Sequence, residues 1–529
     1  MELIRFDNFY FTYAGANSAA LNGIDFGIES GEIVAVCGPS GCGKSTLINL
    51  CKEQVAPVGS RSGTLHIALR GDETAIVFQN PDTQTVATTV IHELAFQMEN
   101  LGYDTVNMRK RIAETAGFFG LENLLHMEIS ALSGGQKQLV ALCAAMATGP
   151  KLLLLDEPVS QLDPISCKQL TETLARINAE LSVTIVIAEH RLDEMLQISD
   201  RIVFMDRGRA VHCGGVRETL KTLFASRNPE QAAFVTHAAR ASLTIDSERA
   251  AVSPKEFKAW FPSMGTQPKG VSGPPREEQG KPVAISARDV VFRYSKNDKP
   301  VIYNMSVSIR EGERLCVLGG NGSGKTTFLK LLAGILKPAM GRINNPYKRI
   351  GYMPQNVRAY FVRERLCDEI DWTCAERVKK IAGALGVGHL LDRHPFDLSG
   401  GEMQKCALLA ILSREPELIL MDEPTKGMDP CVKTAIPRIL DEFYGDATVT
   451  VVVATHDLEF AGGFSSRCGM FFDGGLAYSL PPREFFAGNN YYSTAVNKCV
   501  RHIDPNAVYY KDVLEIWGIE KPFYLEDYF

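Results

Sequence analysis

The sequence predicts an α/β fold built twice along one chain, and three observations carry this prediction. Short unbroken apolar runs, Ile33–Val36, Leu152–Leu155 and Ile185–Ala188, have the composition of parallel strands buried on both faces. Longer mixed segments between them, such as Val106–Phe118 and Gln136–Met146, fit helices. A series of chemically distinctive features in the first half recurs in the second half in the same order.

The first feature is Gly38-Pro39-Ser40-Gly41-Cys42-Gly43-Lys44-Ser45-Thr46, between an apolar run and the helix-like Leu47-Ile48-Asn49-Leu50. Strand, glycine loop and helix in that order is the context of a phosphate-binding loop. Glycines let the backbone close around phosphate, and N–H groups at a helix start point at the anion. Lys44 suits the β- and γ-phosphates and the Ser45 hydroxyl suits Mg²⁺. Cys42, inside the loop, reads as a small residue tolerated there rather than as a redox-sensitive thiol.

The loop recurs as Gly319-Gly320-Asn321-Gly322-Ser323-Gly324-Lys325-Thr326-Thr327, and Lys325 lies 281 positions after Lys44. Tyr13 and Tyr294 share that offset; Gln79 and Gln355 lie 276 apart. Leu132-Ser133-Gly134-Gly135-Gln136 pairs with Leu398-Ser399-Gly400-Gly401-Glu402 at 266, as do Asp156 with Asp422 and His190 with His456. The second half is thus 10 residues shorter between the glutamine and the Ser-Gly-Gly element, then keeps identical spacing. A variable segment on a shared scaffold is where partner surfaces usually lie.

Leu152–Leu155 runs into Asp156-Glu157-Pro158, and Leu418-Ile419-Leu420-Met421 into Asp422-Glu423-Pro424. Ligands of open α/β sheets gather at the carboxyl ends of strands. The first acid there suits Mg²⁺, and the second suits an attacking water. His190 and His456 end further apolar runs at the same edge.

Composition narrows the role. The chain has 529 residues, 45% hydrophobic and 22% charged, with a net charge of −6, which suits a multi-domain globular protein and gives no reason to expect a nucleic-acid partner. No apolar run is long enough to span a bilayer, and Met1–Phe6 lacks the build of a signal peptide. Thirteen cysteines without a Cys-x-x-Cys pair argue for free thiols in a reducing compartment. The expected organisation is a first domain over 1–225, a linker over 226–283 with Pro/Gly-rich Phe261–Pro282, a second domain over 284–488, and an aromatic-rich appendage over 489–529 without a duplicate.

With these motifs the chain resembles an ATP-binding cassette (ABC) protein with two phosphate-loop ATPase cassettes in one polypeptide. The resemblance covers roughly residues 2–225 and 284–480, and Leu-Ser-Gly-Gly-Gln is the family signature. It implies, in each half, an antiparallel β subdomain and an α-helical signature subdomain beside the sheet core. It also implies that ATP and Mg²⁺ are bound, and that the cassettes pair head-to-tail. One site would combine Gly38–Thr46, Gln79, Asp156, Glu157 and His190 with Ser399, Gly400 and Gly401. The other would combine Gly319–Thr327, Gln355, Asp422, Glu423 and His456 with Ser133, Gly134 and Gly135. Tyr13 and Tyr294 would stack on adenine. Ser45, Gln79 and Asp156, like Thr326, Gln355 and Asp422, would hold the metal. Glu157 and Glu423 would act as general bases, with His190 and His456 beside them. Gln161-Leu162-Asp163 and Gly427-Met428-Asp429 would cross between cassettes.

A narrower resemblance lies in Val77-Phe78-Gln79-Asn80-Pro81-Asp82-Thr83-Gln84 and in the segments Thr88–Phe96 and Glu99–Gly102. These are similar to ATPases of energy-coupling factor (ECF) importers, which take up vitamins or Ni/Co ions. The resemblance implies a transmembrane coupling subunit and a small substrate-capture membrane subunit as partners, at the cytoplasmic face of the membrane. The second half departs from the pattern at Pro354-Gln355-Asn356-Val357-Arg358, so unequal docking faces are expected. The alternatives are a sugar-type importer ATPase or a soluble ribosome-associated tandem cassette; the run Lys269–Lys281, with Glu277 and Glu278 among its bases, is no basic RNA arm.

Overall fold

The computed structural model describes residues 1–160, 162–261, 281–444 and 449–519. Contacts divide the chain into two units, Met1–Ser253 and Pro254–Phe529. In the first, a six-stranded sheet runs in the order Thr74–Val77, Leu152–Asp156, Thr184–Ala188, Ile33–Cys37, Arg201–Asp206, Arg209–Gly215. All neighbours are parallel except the last pair. The three central strands are wholly buried because both sheet faces are covered. Val34, Val36, Leu152, Leu154 and Val186 point toward helix Lys44–Leu50 and the antiparallel sheet of Leu21–Glu29, Glu2–Tyr13 and Gly59–Ile67. Ile33, Leu153, Leu155, Ile185 and Ile187 point the other way, toward helices Gly134–Ala147 and Pro164–Leu181. This is the period-two alternation of a strand read on both sides.

A helical subdomain packs Val90–Asn100 and Thr105–Phe119 against Gly134–Ala147. Asp104 starts its second helix by accepting the amides of Val106 and Asn107, and Gly120, at φ 67°, ends it. The second unit repeats the plan: Ile350–Met353, Leu418–Asp422, Thr450–Ala454, Arg314–Leu318, Arg467–Phe472 and Gly475–Leu480 form its large sheet, and Ile302–Arg310, Val283–Phe292 and Met340–Asn344 its antiparallel one. The shortening has a concrete form. Where the first unit has the 11-residue helix Val90–Asn100, the second has one 3-10 turn, Leu366–Glu369. Glu93 and Glu369 keep one task, accepting two amides each from the preceding loop, Val86 and Ala87 in the first case, Val362 and Arg363 in the second.

Two expectations are corrected. The segment expected as linker is helical at Pro229–Ala232, His237–Ile245 and Pro254–Trp260. The last helix packs on Ala495–Val500, and Phe261 meets the rings of His502 and Trp517 edge-on at 5.3 and 5.9 Å. The Pro/Gly-rich run 262–280 lies outside the described residues, as do Gln161, Phe523, Tyr524, Tyr528 and Phe529. The C-terminal segment does have a counterpart. His237–Ile245 begins with its first amide donated to Asp193, and Ala495–Val500 with its first amide donated to Glu459. Asp193 and Glu459 are equivalent, and so are Thr236 and Thr494 just before each helix. The C-terminal copy is anchored by Arg483, whose guanidinium makes 2.6 and 2.9 Å bonds to the fully buried Asp512.

Candidate nucleotide-binding site

In both units the glycine loop wraps a buried lysine. Lys44 Nζ donates to the carbonyls of Gly38 (2.9 Å) and Pro39 (3.0 Å), and Lys325 Nζ to those of Gly319 (2.8 Å) and Gly320 (2.9 Å). The loop needs glycine at its ends. A Cβ on Gly38 would lie 2.0 Å from the Met205 carbonyl oxygen, and Gly43 sits at φ 104°. Tyr13 and Tyr294 reach the same helix start, their hydroxyls bonding Thr46 (2.8 Å) and Thr327 (3.0 Å).

Behind the loop, Ser45 Oγ donates to Asp156 at 3.0 Å, and Thr326 bonds Asp422. Burial pushes both aspartates up to about 6; the neighbouring Glu157 and Glu423 add to this, and the loop hydroxyls and lysines oppose it. Asp422 Oδ2 is buried without a hydrogen-bond partner among the described residues. An orphaned anionic oxygen beside a hydroxyl and a phosphate loop has the chemistry of a Mg²⁺ ligand set. In the second unit a cavity of about 170 Å³ opens here, lined by Asn321–Thr327, Gln355, Asp422 and Glu423.

Glu157 and Glu423 both adopt positive φ, 48° and 53°. A left-handed glutamate in the same place twice is strain that the surrounding site must hold. Glu157 Oε1 lies 3.0 Å from His190 Nε2, and its other oxygen accepts from the Gln79 amide. Glu423 Oε1 lies 2.8 Å from His456 Nδ1, and Thr455 Oγ1 donates to its Oε2 at 3.3 Å. Burial alone would raise both glutamates, but the charge and hydrogen bond of the adjacent histidine, with help from Lys44 or Lys325, bring each below the usual carboxylate range.

Within each unit, therefore, loop, lysine, hydroxyl, strand-end acids and histidine lie together. Gln79 reaches Glu157, whereas Gln355 lines the cavity. Ser133 and Ser399 each cap a helix in a capping box with Gln136 or Glu402, and a Cβ on Gly134 or Gly400 would meet open space. Cys42 is buried, and burial raises its thiol despite nearby Lys44, as expected of an unreactive residue.

Sequence reasoning missed three groups. Lys137 Nζ bonds Asp82 at 2.7 Å, tying the signature helix to the turn after Gln79; its equivalent is Met403. Glu189, 1% exposed, is a second acid beside Glu157, pushed up to about 7 by burial and by that neighbour. Arg191 reaches back to the loop after Glu157. Identity at the equivalent positions, Thr455 and Asp457, was the available signal that the halves differ here.

The sequence profile of the ABC transporter family matches residues 21–160 and 302–426, one span in each unit. The chain belongs to this family. A provisionally named ABC transporter ATP-binding protein of Bacillus thuringiensis is 36% identical over 96% of this chain and 97% of its own length. One from Methanosarcina acetivorans is 31% identical over 91% of this chain and 85% of its own. Among solved structures, an archaeal ribosome recycling factor in complex with a ribosomal stalk protein matches with TM-score 0.62, covering 90% of this chain and 91% of that one at 23% identity. That likeness is one of fold: two tandem ABC ATPase domains. Among the described residues no helix is long and apolar enough to cross a membrane, and no cluster of three or more His, Cys, Asp or Glu could hold a metal ion.

Proposed function

We propose that this chain is the ATP-hydrolysing subunit of a membrane importer, of the ECF type, with two working nucleotide sites. The observation that carries the ATPase reading is the glutamate–histidine pair beside a lysine-bearing phosphate loop, present in each unit. Mg²⁺ would be held by Ser45, Asp156 and Gln79, and by Thr326, Asp422 and Gln355; when bound it neutralises phosphate charge. Lys44 and Lys325 exchange their carbonyl partners for the β- and γ-phosphates, and the loop amides hold the same oxygens. Glu157 and Glu423 take the proton of the attacking water. His190 and His456 orient those carboxylates and meet the γ-phosphate. Ser399-Gly400-Gly401 and Ser133-Gly134-Gly135 complete each other's sites when the cassettes pair, so binding closes the pair and hydrolysis opens it.

The importer reading is supported by family membership and by the first unit's run from Gln79 through helix Val90–Asn100, whose Phe96 is 39% exposed. The partners are a transmembrane coupling subunit and a small substrate-capture subunit, and the chain sits on the cytoplasmic membrane face. Two measurements test this. Purified chain should hydrolyse ATP with Mg²⁺ and lose that activity as Lys44→Ala with Lys325→Ala. Extraction of native membranes in mild detergent should recover two small hydrophobic proteins with the chain; recovery of ribosomes instead overturns the importer reading.

A further inference from the structure

The two sites differ in how the histidine loop is fastened. In the first unit, Glu189 Oε1 accepts the amides of His190 (2.8 Å) and Arg191 (3.1 Å), while Oε2 accepts the amide of Val159 (3.3 Å). Arg191 Nη1 donates to the carbonyls of Leu162 (2.9 Å) and Val159 (3.4 Å). One acid and one base thus bind the loop carrying His190 to the segment after Glu157. That segment runs into Asp163, which starts helix Pro164–Leu181 by accepting the amides of Ile165 and Ser166. The bonds that the Arg191 guanidinium donates are charge-assisted, and such bonds are among the stronger ones in a protein.

The second unit cannot repeat the device. Thr455, equivalent to Glu189, has a single hydroxyl; it donates to Glu423 and accepts the amide of Asp457 at 3.0 Å. Asp457, equivalent to Arg191, has no side-chain donor for carbonyls and instead pairs with Lys433 at 2.7 Å. There the histidine loop is fastened to the glutamate itself and to helix Pro430–Tyr444.

We infer that Glu189 and Arg191 are positioning residues that couple the His190 loop to Val159 and Leu162 in the first site, making turnover there depend on that coupling. This rests on the ATPase reading above. When His190 shifts with the γ-phosphate, Val159 and Leu162 shift with it; in the second unit the corresponding motion passes to Glu423.

Hydrogen exchange and steady-state ATPase of the full chain test it, with Glu189→Thr, which installs the second unit's residue, and Arg191→Ala as an independent variant should the first not fold. Amides in the peptide 158–166 should exchange about tenfold faster in either variant, with the equivalent peptide 424–432 unaltered. Measured in a Glu423→Gln background, which leaves turnover to the first site, kcat should fall about tenfold with KM within about twofold, and Glu189→Gln, which keeps one acceptor, should fall between. Unaltered exchange at 158–166 overturns the inference, and so does faster exchange with kcat kept. Should the wild-type chain hydrolyse no ATP, the ATPase reading fails, while the exchange comparison still decides whether the staple exists.

Discussion

An aspartate at the end of a buried strand is ionised only against its own desolvation, and Asp422 lies at that limit, 1% exposed with its carboxyl pushed up to about 6. Its folded-state value is above the ordinary 3.8, so the fold favours the protonated form. The group's contribution to stability is therefore present in full below about pH 4 and is lost as pH rises through about 6. Asp422→Asn should stabilise the nucleotide-free chain at pH 8 by on the order of 2 kcal/mol, and by less at pH 5, in urea unfolding. An equal gain at both pH values would contradict this account. On the proposed Mg²⁺ set, the same variant should weaken Mg²⁺-dependent ATP binding, since Oδ2 would meet the ion. The glutamates beside these aspartates give a second prediction. Glu157→Gln and Glu423→Gln, made separately, should each lower ATPase activity, and together should lower it at least about a hundredfold, the share a general base supplies. Full activity in either single variant would show that its site does not turn over.

At the scale of elements, the helix Val90–Asn100 distinguishes the halves. Val90, Leu94 and Met98 bury one stripe, four residues apart, while Phe96 and Leu101 face outward. Stability and docking should therefore separate by face. Leu94→Ala should destabilise the chain by about 2–4 kcal/mol in urea unfolding. Phe96→Ser should stay within about 0.5 kcal/mol of wild type yet reduce recovery of membrane partners. The sequence made the shared scaffold readable because its motifs are local: a glycine loop or an apolar run ending in two acids is complete within nine residues or fewer. It located the missing ten residues without showing that a helix had become a 3-10 turn. The duplicate of the C-terminal segment was hidden for a different reason. Its offset drifts from 266 at Arg217 and Arg483 to 258 at Thr236 and Thr494, and the two copies share few side chains beyond their helix starts. Backbone amides anchored by Asp193 and Glu459 carry the likeness, and a hydrogen bond to an amide leaves little mark on sequence. Glu189 escaped notice likewise, because its partners are amides 30 residues and one residue away.

At the scale of the molecule, duplication matters only if each half supplies something the other lacks. Ser133-Gly134-Gly135 and Ser399-Gly400-Gly401 are the candidates. Each begins a well-capped helix whose first glycine, Gly134 or Gly400, faces open space beside amides suited to an incoming phosphate, while Gly135 lies against Ser166 and Gly401 is buried. If the halves complete each other, damage to one signature must appear at the other half's phosphate loop. Ser399→Arg places a bulky cation where a γ-phosphate would dock, leaving Lys44, Asp156 and Glu157 untouched. Trapping a photoreactive ATP analogue with vanadate, followed by peptide mapping, reads each site separately. Ser399→Arg should lose trapping at the peptide containing Lys44, and Ser133→Arg at the peptide containing Lys325. Loss confined to the mutated half would mean that each cassette works alone, and the chain would then be two motors in series rather than one clamp. Loss at both loops from either variant would mean that the sites fire only together. The crossed pattern alone matches a clamp whose halves complete each other while turning over separately, the arrangement in which a first-site device such as Glu189 with Arg191 could matter to one turnover and not the other.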